Sequence, residues 1–277
     1  RTPVMDGVIN DNEYSFRGAG FFDVSDGLSQ TPGTYAVAYD NQWLYVAVQT
    51  PVFGDGLIAS QKTRDGKIYT DDSVEVYLSP FDSKEYCQIV VNSAGAVFDA
   101  QNGDASWNLG RDIVASSQVE NGRWTMELAI PIGPDGVAIP VASSPWRLNV
   151  CRTYADPRQY LSAAPVEHAY KDVPRFIRVF PDSHAPTLAI SRIGDLGKGD
   201  LDLAISSGSP VSADVELLVN DKKELGKQYA VSSDGLDVQQ AFSVDRNQSG
   251  GSHGVLTLSV TQPGDFKPIY RSAFPFG

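Results

Sequence analysis

Glu75 stands between two valines in the run YTDDSVEVYLSP, residues 69–80. In a strand, successive side chains point to opposite faces, so Val74, Val76 and Leu78 share one face and Ser73, Glu75 and Tyr77 the other. A carboxylate on the face away from the core has four roles open to it: proton transfer, metal ligation, hydrogen bonding to a polar ligand, or plain solvation. Glu127, in WTMELAIP, also faces away from the apolar side of its strand, so the two acids could be the paired carboxylates of a glycoside hydrolase. Arg152, at the end of WRLNVCR, either faces a ligand or pairs with structural carboxylates. Trp107, in the loop GDASWNLG, either caps a core or reaches a ligand. Near the start, Asp6, Asn10, Asp11 and Glu13 form an oxygen-rich group with the composition of a structural calcium site, although DGxxND reads equally well as a turn.

Other chemistries lack their residues. There is no CxxC and no HExxH, and the three histidines, His168, His184 and His253, are far apart in the chain, which argues against a transition-metal centre. A GxSxG elbow, a phosphate-cradling glycine loop and a GxGxxG between strand and helix are all missing, which removes hydrolases of that type, kinases and dehydrogenases. Acids outnumber bases 34 to 22, for a net charge of −12. Nucleic acid and anionic membrane surfaces are therefore expected to be repelled. No apolar run approaches the roughly 20 residues of a membrane span, and RTPVMDG is unlike a signal peptide, so the chain reads as soluble and as a mature fragment.

The elements that must position these residues are strands. Scattered among short β-branched and aromatic runs are 25 glycines and 17 prolines, a pattern of many short strands and hence an all-β chain. Strand-like runs fall at 34–40, 43–50, 73–80, 86–93, 124–131 and 146–154, each bounded by Asp, Asn, Gly or Pro. Asp40-Asn41-Gln42 makes a tight turn between the first two. Trp43, Trp124 and Trp146 are read as core, in phase with the apolar residues of their strands, whereas 131–145 is too rich in Pro and Gly to be anything but loop. Cys87 and Cys151 have opposite parities relative to their strands' apolar faces and are expected to be unpaired.

The stretch PDSHAPT, 181–187, reads as a linker, which divides the chain into residues 1–182 and 187–277 as two separate sandwiches. After it come about seven short strands with turn signals every 8–12 residues, including a turn at NDKKELGK, as in a small immunoglobulin-like β-sandwich that lacks the Cys…Trp…Cys core. Asn247-Gln248-Ser249 matches a glycosylation sequon.

Seven segments in order carry a family resemblance: MDGVINDNEY (5–14), YDNQWLYVAV (39–48), DDSVEVYLSP (71–80), QIVVNSAGAVFD (88–99), GRWTMELAIP (122–131), WRLNVCR (146–152) and VPRF (173–176). Together they resemble the family 9 carbohydrate-binding modules over residues 1 to about 180. The resemblance implies a jelly-roll-type β-sandwich that holds a saccharide without catalysis, as one module of a secreted or cell-surface, multidomain protein, with other modules of the same polypeptide as partners. It places Tyr69 as a ring that stacks on a sugar and Glu75 as the acceptor of sugar hydroxyls. Gln88 and Asn92 lie beside Glu75 by strand parity and supply amides. Tyr170 or His168 would be the second aromatic. Two family positions differ: Tyr69 stands where a Trp is usual, and Val90 where an Arg is usual between the two amides. No cofactor is required, and calcium would be structural. The alternatives are a structural or adhesive sandwich that has lost its sugar site, a glycoside hydrolase, and a b-type haem protein using Met5 or Met126, as related sandwich domains do.

Overall fold

A computed structural model of the chain describes residues 2–10, 13–25, 30–138, 144–166, 169–244 and 252–277. Eleven strands form the first part: β1 (Phe16–Asp23), β2 (Gln30–Tyr39), β3 (Trp43–Pro51), β4 (Ser73–Pro80), β5 (Cys87–Asn92), β6 (Val97–Gln101), β7 (Val114–Glu120), β8 (Arg123–Pro131), β9 (Trp146–Tyr154), β10 (Gln159–Ser162) and β11 (Ile177–Val179). Seven follow: β12 (Leu188–Arg192), β13 (Asp200–Ser207), β14 (Val211–Val219), β15 (Lys222–Val231), β16 (Leu236–Ala241), β17 (Gly254–Thr261) and β18 (Pro268–Phe276). The fold is all-β, as expected.

One long sheet runs β6-β5-β4-β9-β10-β1-β2-β3-β8-β7 and curls over, so that its two halves face each other as a sandwich. Inward residues alternate along strands of both halves: Val74, Val76 and Leu78 on β4, Leu148 and Val150 on β9, Leu44, Val46 and Val48 on β3, and Trp124, Met126, Leu128 and Ile130 on β8. Met126 is fully buried among them, in the core set with Trp124. Trp124 and Trp146 are core, as read from the sequence. Trp43 is not. Both faces of WLYVAV are apolar, so the parity was ambiguous; Leu44, Val46 and Val48 point inward. Trp43 lies outside, half-buried, with the Arg111 guanidinium 4.1 Å from its ring centre.

Asp40 closes the β2–β3 turn by accepting hydrogen bonds from the backbone N–H of Gln42 and Trp43, the Asx geometry the sequence suggested. Both cysteines are free and buried on opposite sides of their layer, Cys87 inward and Cys151 outward. Strand β1 escaped the sequence reading because FRGAGFFD contains two glycines. Gly18 is needed there: a Cβ would stand 2.4 Å from the Tyr35 ring. The ladder also shifts register between Ala19 and Phe21, which breaks the alternation by which strands are recognised.

The expectation of two separate sandwiches needs correction. The chain does build two cores, one within the curled sheet and one among β12–β18. However, β12 pairs in parallel with β1, Phe16 opposite Leu188 and Arg17 opposite Ala189, so β12, β13 and β16 extend the long sheet. The separate sheet β15-β14-β17-β18 packs against them. Phe16 packs against both cores. The ladder crosses PDSHAPT because a linker rich in Pro and polar residues limits only its own conformation, and the open edge of β1 is an available partner. NDKKELGK is also mostly strand. Its turn is Asn220-Asp221 alone, with φ of +47° and +61°, while Lys222–Val231 is an exposed edge strand whose lysines fit that position. The sequon at Asn247 lies outside the described residues.

Candidate functional site

The outward face of β5, β4, β9 and β10 is assembled by ladder register. Tyr77 stands opposite Gln88 and Asn149, Glu75 opposite Val90 and Cys151, Ser73 opposite Asn92 and Thr153, and Tyr160 opposite Thr153. Glu75 therefore points where parity placed it. It is not solvated, however: its exposure is 3%. Residues 163–166 and 169–176 lie over this face, and Ala164, Val166, Tyr170, Val173 and Phe176 bury Tyr77 and Cys151 beneath them. Strand parity decides the side of a residue but not whether another segment covers it.

Under that cover the Glu75 carboxylate is held by three donors. Tyr77 Oη and Gln88 Nε2 donate to Oε2 at 3.0 and 3.1 Å, and Thr153 Oγ1 donates to Oε1 at 3.2 Å. Burial raises the Glu75 pKa above the usual carboxylate range, against the pull of these hydrogen bonds and of the Arg158 charge. Burial likewise pushes the Tyr77 and Tyr170 hydroxyls well up. Tyr170 is buried, donates from Oη to the Arg152 carbonyl at 2.9 Å, and lies 3.3 Å from Thr153 Oγ1. Its ring meets Tyr77 and Tyr160 edge-on at 6.3 and 5.9 Å.

Tyr69 stands at the open rim. The 3₁₀ turn Ile68–Thr70 carries it, with Ile68 fully buried against Val90, so the position where an Arg would be usual is an apolar seat for this turn. Tyr69 is 40% exposed and edge-on to Phe98 at 6.0 Å. Arg158 fastens the turn to β10: Nη2 and Nη1 donate to the Tyr69 and Thr70 carbonyls at 2.7 and 2.9 Å, and Nε donates to Tyr160 Oη at 2.9 Å. Tyr160 is 37% exposed, with the Arg158 guanidinium 5.0 Å from its ring centre. Arg158 thus joins the exposed Tyr160 side chain to the backbone of the turn that carries the exposed Tyr69. Arg158 and Tyr160 were missed as site residues, because β10 has only four residues; the alternation of Tyr160 and Ser162 after DPR was the signal available.

The remaining candidates divide. Gln88 joins the Glu75 network. Asn92 is on the same face but fully buried and committed to loops: Nδ2 donates to the Gln61 carbonyl and to Asp71 Oδ2, both at 2.8 Å, and Oδ1 accepts from Ala94 and Ala96 N–H. Burial acts to raise Asp71, but hydrogen bonds from Ser60, Gln61 and Asn92 outweigh it and hold its pKa low. Arg152 points inward, fully buried, and pairs with Asp72 Oδ1 at 2.6 Å. Its guanidinium lies 4.4 Å from the Trp124 ring centre and 4.0 Å from that of Tyr154, and it also donates to the Thr153 carbonyl and to Thr50 Oγ1. Burial lowers its pKa in spite of Asp72. Arg152 is a structural cation. Trp107 is half-buried and packs on the main core. Its loop is fixed by Asp99, which accepts from Leu109 N–H and from Arg64. His168 lies outside the described residues.

Glu127 does not meet Glu75. It faces outward from β8 in the other half of the sheet, with the main core between the two acids. Its Oε2 accepts from Asp6 and Gly7 N–H at 3.0 and 2.6 Å, and its Oε1 from Tyr14 Oη at 2.7 Å. That arrangement is an anchor for the N-terminal segment, not half of a hydrolase pair. Asp6 Oδ1 accepts from Val8 N–H and Glu13 Oε2 from Asn10 N–H; Asp11 lies outside the described residues. Among the described residues no three His, Cys, Asp or Glu side chains converge as a metal site. Two surface depressions, of about 430 and 110 Å³, lie over β14, β15 and β17 and beside Gly7, Gln49 and Thr125.

A family model described as carbohydrate family 9 binding domain-like matches residues 5–157. The chain belongs to that family. The match spans β1 to β9 and so includes Tyr69, Glu75 and Gln88. Two solved structures from Caldicellulosiruptor kristjanssonii are also similar. One, a carbohydrate binding module family 9 in complex with cellotriose, shares 17% identity over 67% of this chain and 92% of that chain, with a TM-score of 0.47. The other, in complex with glucose, shares 16% identity over 67% and 94%, with a TM-score of 0.46. No curated protein matches the chain. The family 9 domain is a non-catalytic carbohydrate-binding module, and its sandwich is the curled sheet described above.

Proposed function

We propose that saccharide docks at the rim where Tyr69 and Tyr160 flank Arg158, above the Glu75, Tyr77, Gln88 and Thr153 network. The observation that carries this reading is that one guanidinium, Arg158, holds the half-exposed Tyr160 by its hydroxyl and, through the Tyr69 and Thr70 carbonyls, the turn that carries the half-exposed Tyr69. Flat rings contact the C–H face of a pyranose, and a guanidinium with donors to spare hydrogen-bonds its hydroxyls. Tyr160 takes the place proposed for Tyr170, which is buried. The chain as a whole then acts as a secreted, non-catalytic binding module, with the β12–β18 part as an immunoglobulin-like spacer to other modules of a longer polypeptide.

A second reading, a sandwich that has lost its sugar site, has one observation in its favour: both oxygens of Glu75 are already filled by protein donors. Calorimetric titration with cellotriose and a panel of soluble oligosaccharides separates the two. Under the binding reading, Tyr69→Ala and Tyr160→Ala each weaken a bound sugar by about 1–2 kcal/mol, the scale of an aromatic contact, with thermal stability almost unchanged. Binding that neither substitution moves would refute the rim, and absence of binding across the panel would favour the second reading.

A further inference from the structure

A second exposed aromatic group lies where the two parts of the molecule meet. Phe81, just after β4, and Phe180, just after β11, meet edge to face at 5.2 Å, and Phe180 is 49% exposed. The β17–β18 turn comes in beside them. Within it, Asp265 N–H donates to the Gln262 carbonyl at 3.1 Å, with Pro263 second and Gly264 third at a φ of +80°. These are the marks of a type II turn, whose backbone is set in advance. It presents Phe266, whose side chain is wholly exposed, and Lys267, whose Nζ lies 5.0 Å from the Phe180 ring centre. The guanidinium groups of Arg147 and Arg178 lie 5.5 and 5.8 Å from that of Phe81.

Three cations thus gather on two rings of a protein whose net charge is −12. Among the described residues the Arg and Lys ion pairs use Arg64, Arg152, Arg175, Arg192, Lys198 and Lys223. Arg147, Arg178 and Lys267 take no part in them. Asp82, Asp182 and Asp265 are the acids nearest in sequence, and Asp182 is engaged by the His184 backbone N–H at 2.8 Å.

We propose that this patch is a second saccharide-binding surface, for an acidic glycan whose sugar rings stack on Phe180 and Phe266 and whose carboxylates meet Arg147, Arg178 and Lys267. Such a glycan supplies both complements at once, apolar C–H faces for the rings and carboxylates for the cations. A bilayer would call for a broad apolar face with several side chains to bury, and only Phe266 projects freely. The patch shares no residue with the Tyr69 rim. Six residues of extended chain separate Glu75 from Phe81, roughly 20 Å. The choice of a glycan over another polyanion rests on the saccharide-binding reading, but the site does not depend on that rim.

The test is calorimetric titration of the full chain with oligogalacturonate and with the same oligomer after reduction of its carboxyl groups. Oligogalacturonate should bind, and the reduced oligomer should bind at least about tenfold more weakly, because charge-assisted hydrogen bonds are lost. Phe266→Ala and Arg178→Gln should each weaken oligogalacturonate about tenfold without changing the melting temperature. Tyr69→Ala should leave it untouched. No binding, equal binding of the reduced oligomer, or indifference to Phe266→Ala overturns the patch. So does association of phosphatidylserine vesicles or a single-stranded oligonucleotide in place of the glycan. Loss of oligogalacturonate binding in Tyr69→Ala would also overturn it, by assigning the ligand to the rim, whereas oligogalacturonate binding without any Tyr69-dependent sugar would leave the patch standing and remove the rim.

Discussion

Glu75 is a carboxylate on the outer face of a strand that carries the energetics of a core residue. Burial raises its folded pKa, and burial also raises that of Glu127. For a carboxylic acid raised on folding, the native state binds more protons than the unfolded state between the two pKa values, so stability falls as pH rises through that window. Asp71 and Asp40 are shifted the other way; their contribution is lost on acidification, below the ordinary carboxylate range. Thermal melts from about pH 4 to pH 8 should therefore show a decline above the ordinary carboxylate range that Glu75→Gln partly flattens. An unchanged slope would mean that Glu75 ionises without cost. Arg152 and Asp72 form the opposite case, a buried charge with its partner. Asp72→Ala leaves the guanidinium uncompensated between Trp124 and Tyr154, and urea denaturation should register a loss of about 3–5 kcal/mol. Arg152→Met in that background should restore part of it.

At the scale of elements, the segments that cross the outer faces of the sandwich decide what is exposed. The N-terminal segment is tied down by Glu127 through the Asp6 and Gly7 N–H groups, and it brings Met5 and Ile9 onto the small-residue face of Ala36, Ala38, Ala47 and Ala129. Gly7 makes this possible. It sits at a φ of +87°, and a Cβ would stand 2.8 Å from Gln118 Cβ. Gly7→Ala should cost about 1–3 kcal/mol in chemical denaturation, and amide exchange should show the N-terminal segment opening before the sheet. Exchange that is uniform across both would argue that the anchor is not local. On the other face, residues 163–166 and 169–176 have the matching role over the Glu75 side of β4 and β9.

The whole molecule is joined through β1. Its ladder to β12 makes the two parts neighbours in one sheet, and Phe16 stacks on Tyr270 at 5.2 Å while also touching Tyr35 at 6.0 Å. Calorimetry should give one cooperative transition for the chain. Phe16→Ala should lower stability by about 2 kcal/mol, less than a fully buried ring because Phe16 is half-exposed, and should separate the transition into two. A wild type that already melts in two steps would show the shared ladder to be energetically idle.

Period-two alternation with an inward set as regular as Val74, Val76 and Leu78 has one folded solution, so the sequence by itself determined the strands that carry it, the turn at Asp40, the unpaired cysteines and the side of the sheet to which Glu75 points. The ordered segments from MDGVINDNEY to VPRF also carried the family. The sequence left β1 hidden, because glycines placed for close packing look like loop. It left Trp43 on the wrong face, because its run is apolar on both. Only the tertiary structure decided that Glu75 and Asn92 are covered, that Arg152 serves Asp72, that Glu127 holds the N-terminus, and that Arg158 brings Tyr160 to Tyr69. Each depends on a contact between segments distant in the chain, and local periodicity holds no information about which distant segment arrives on an outward face.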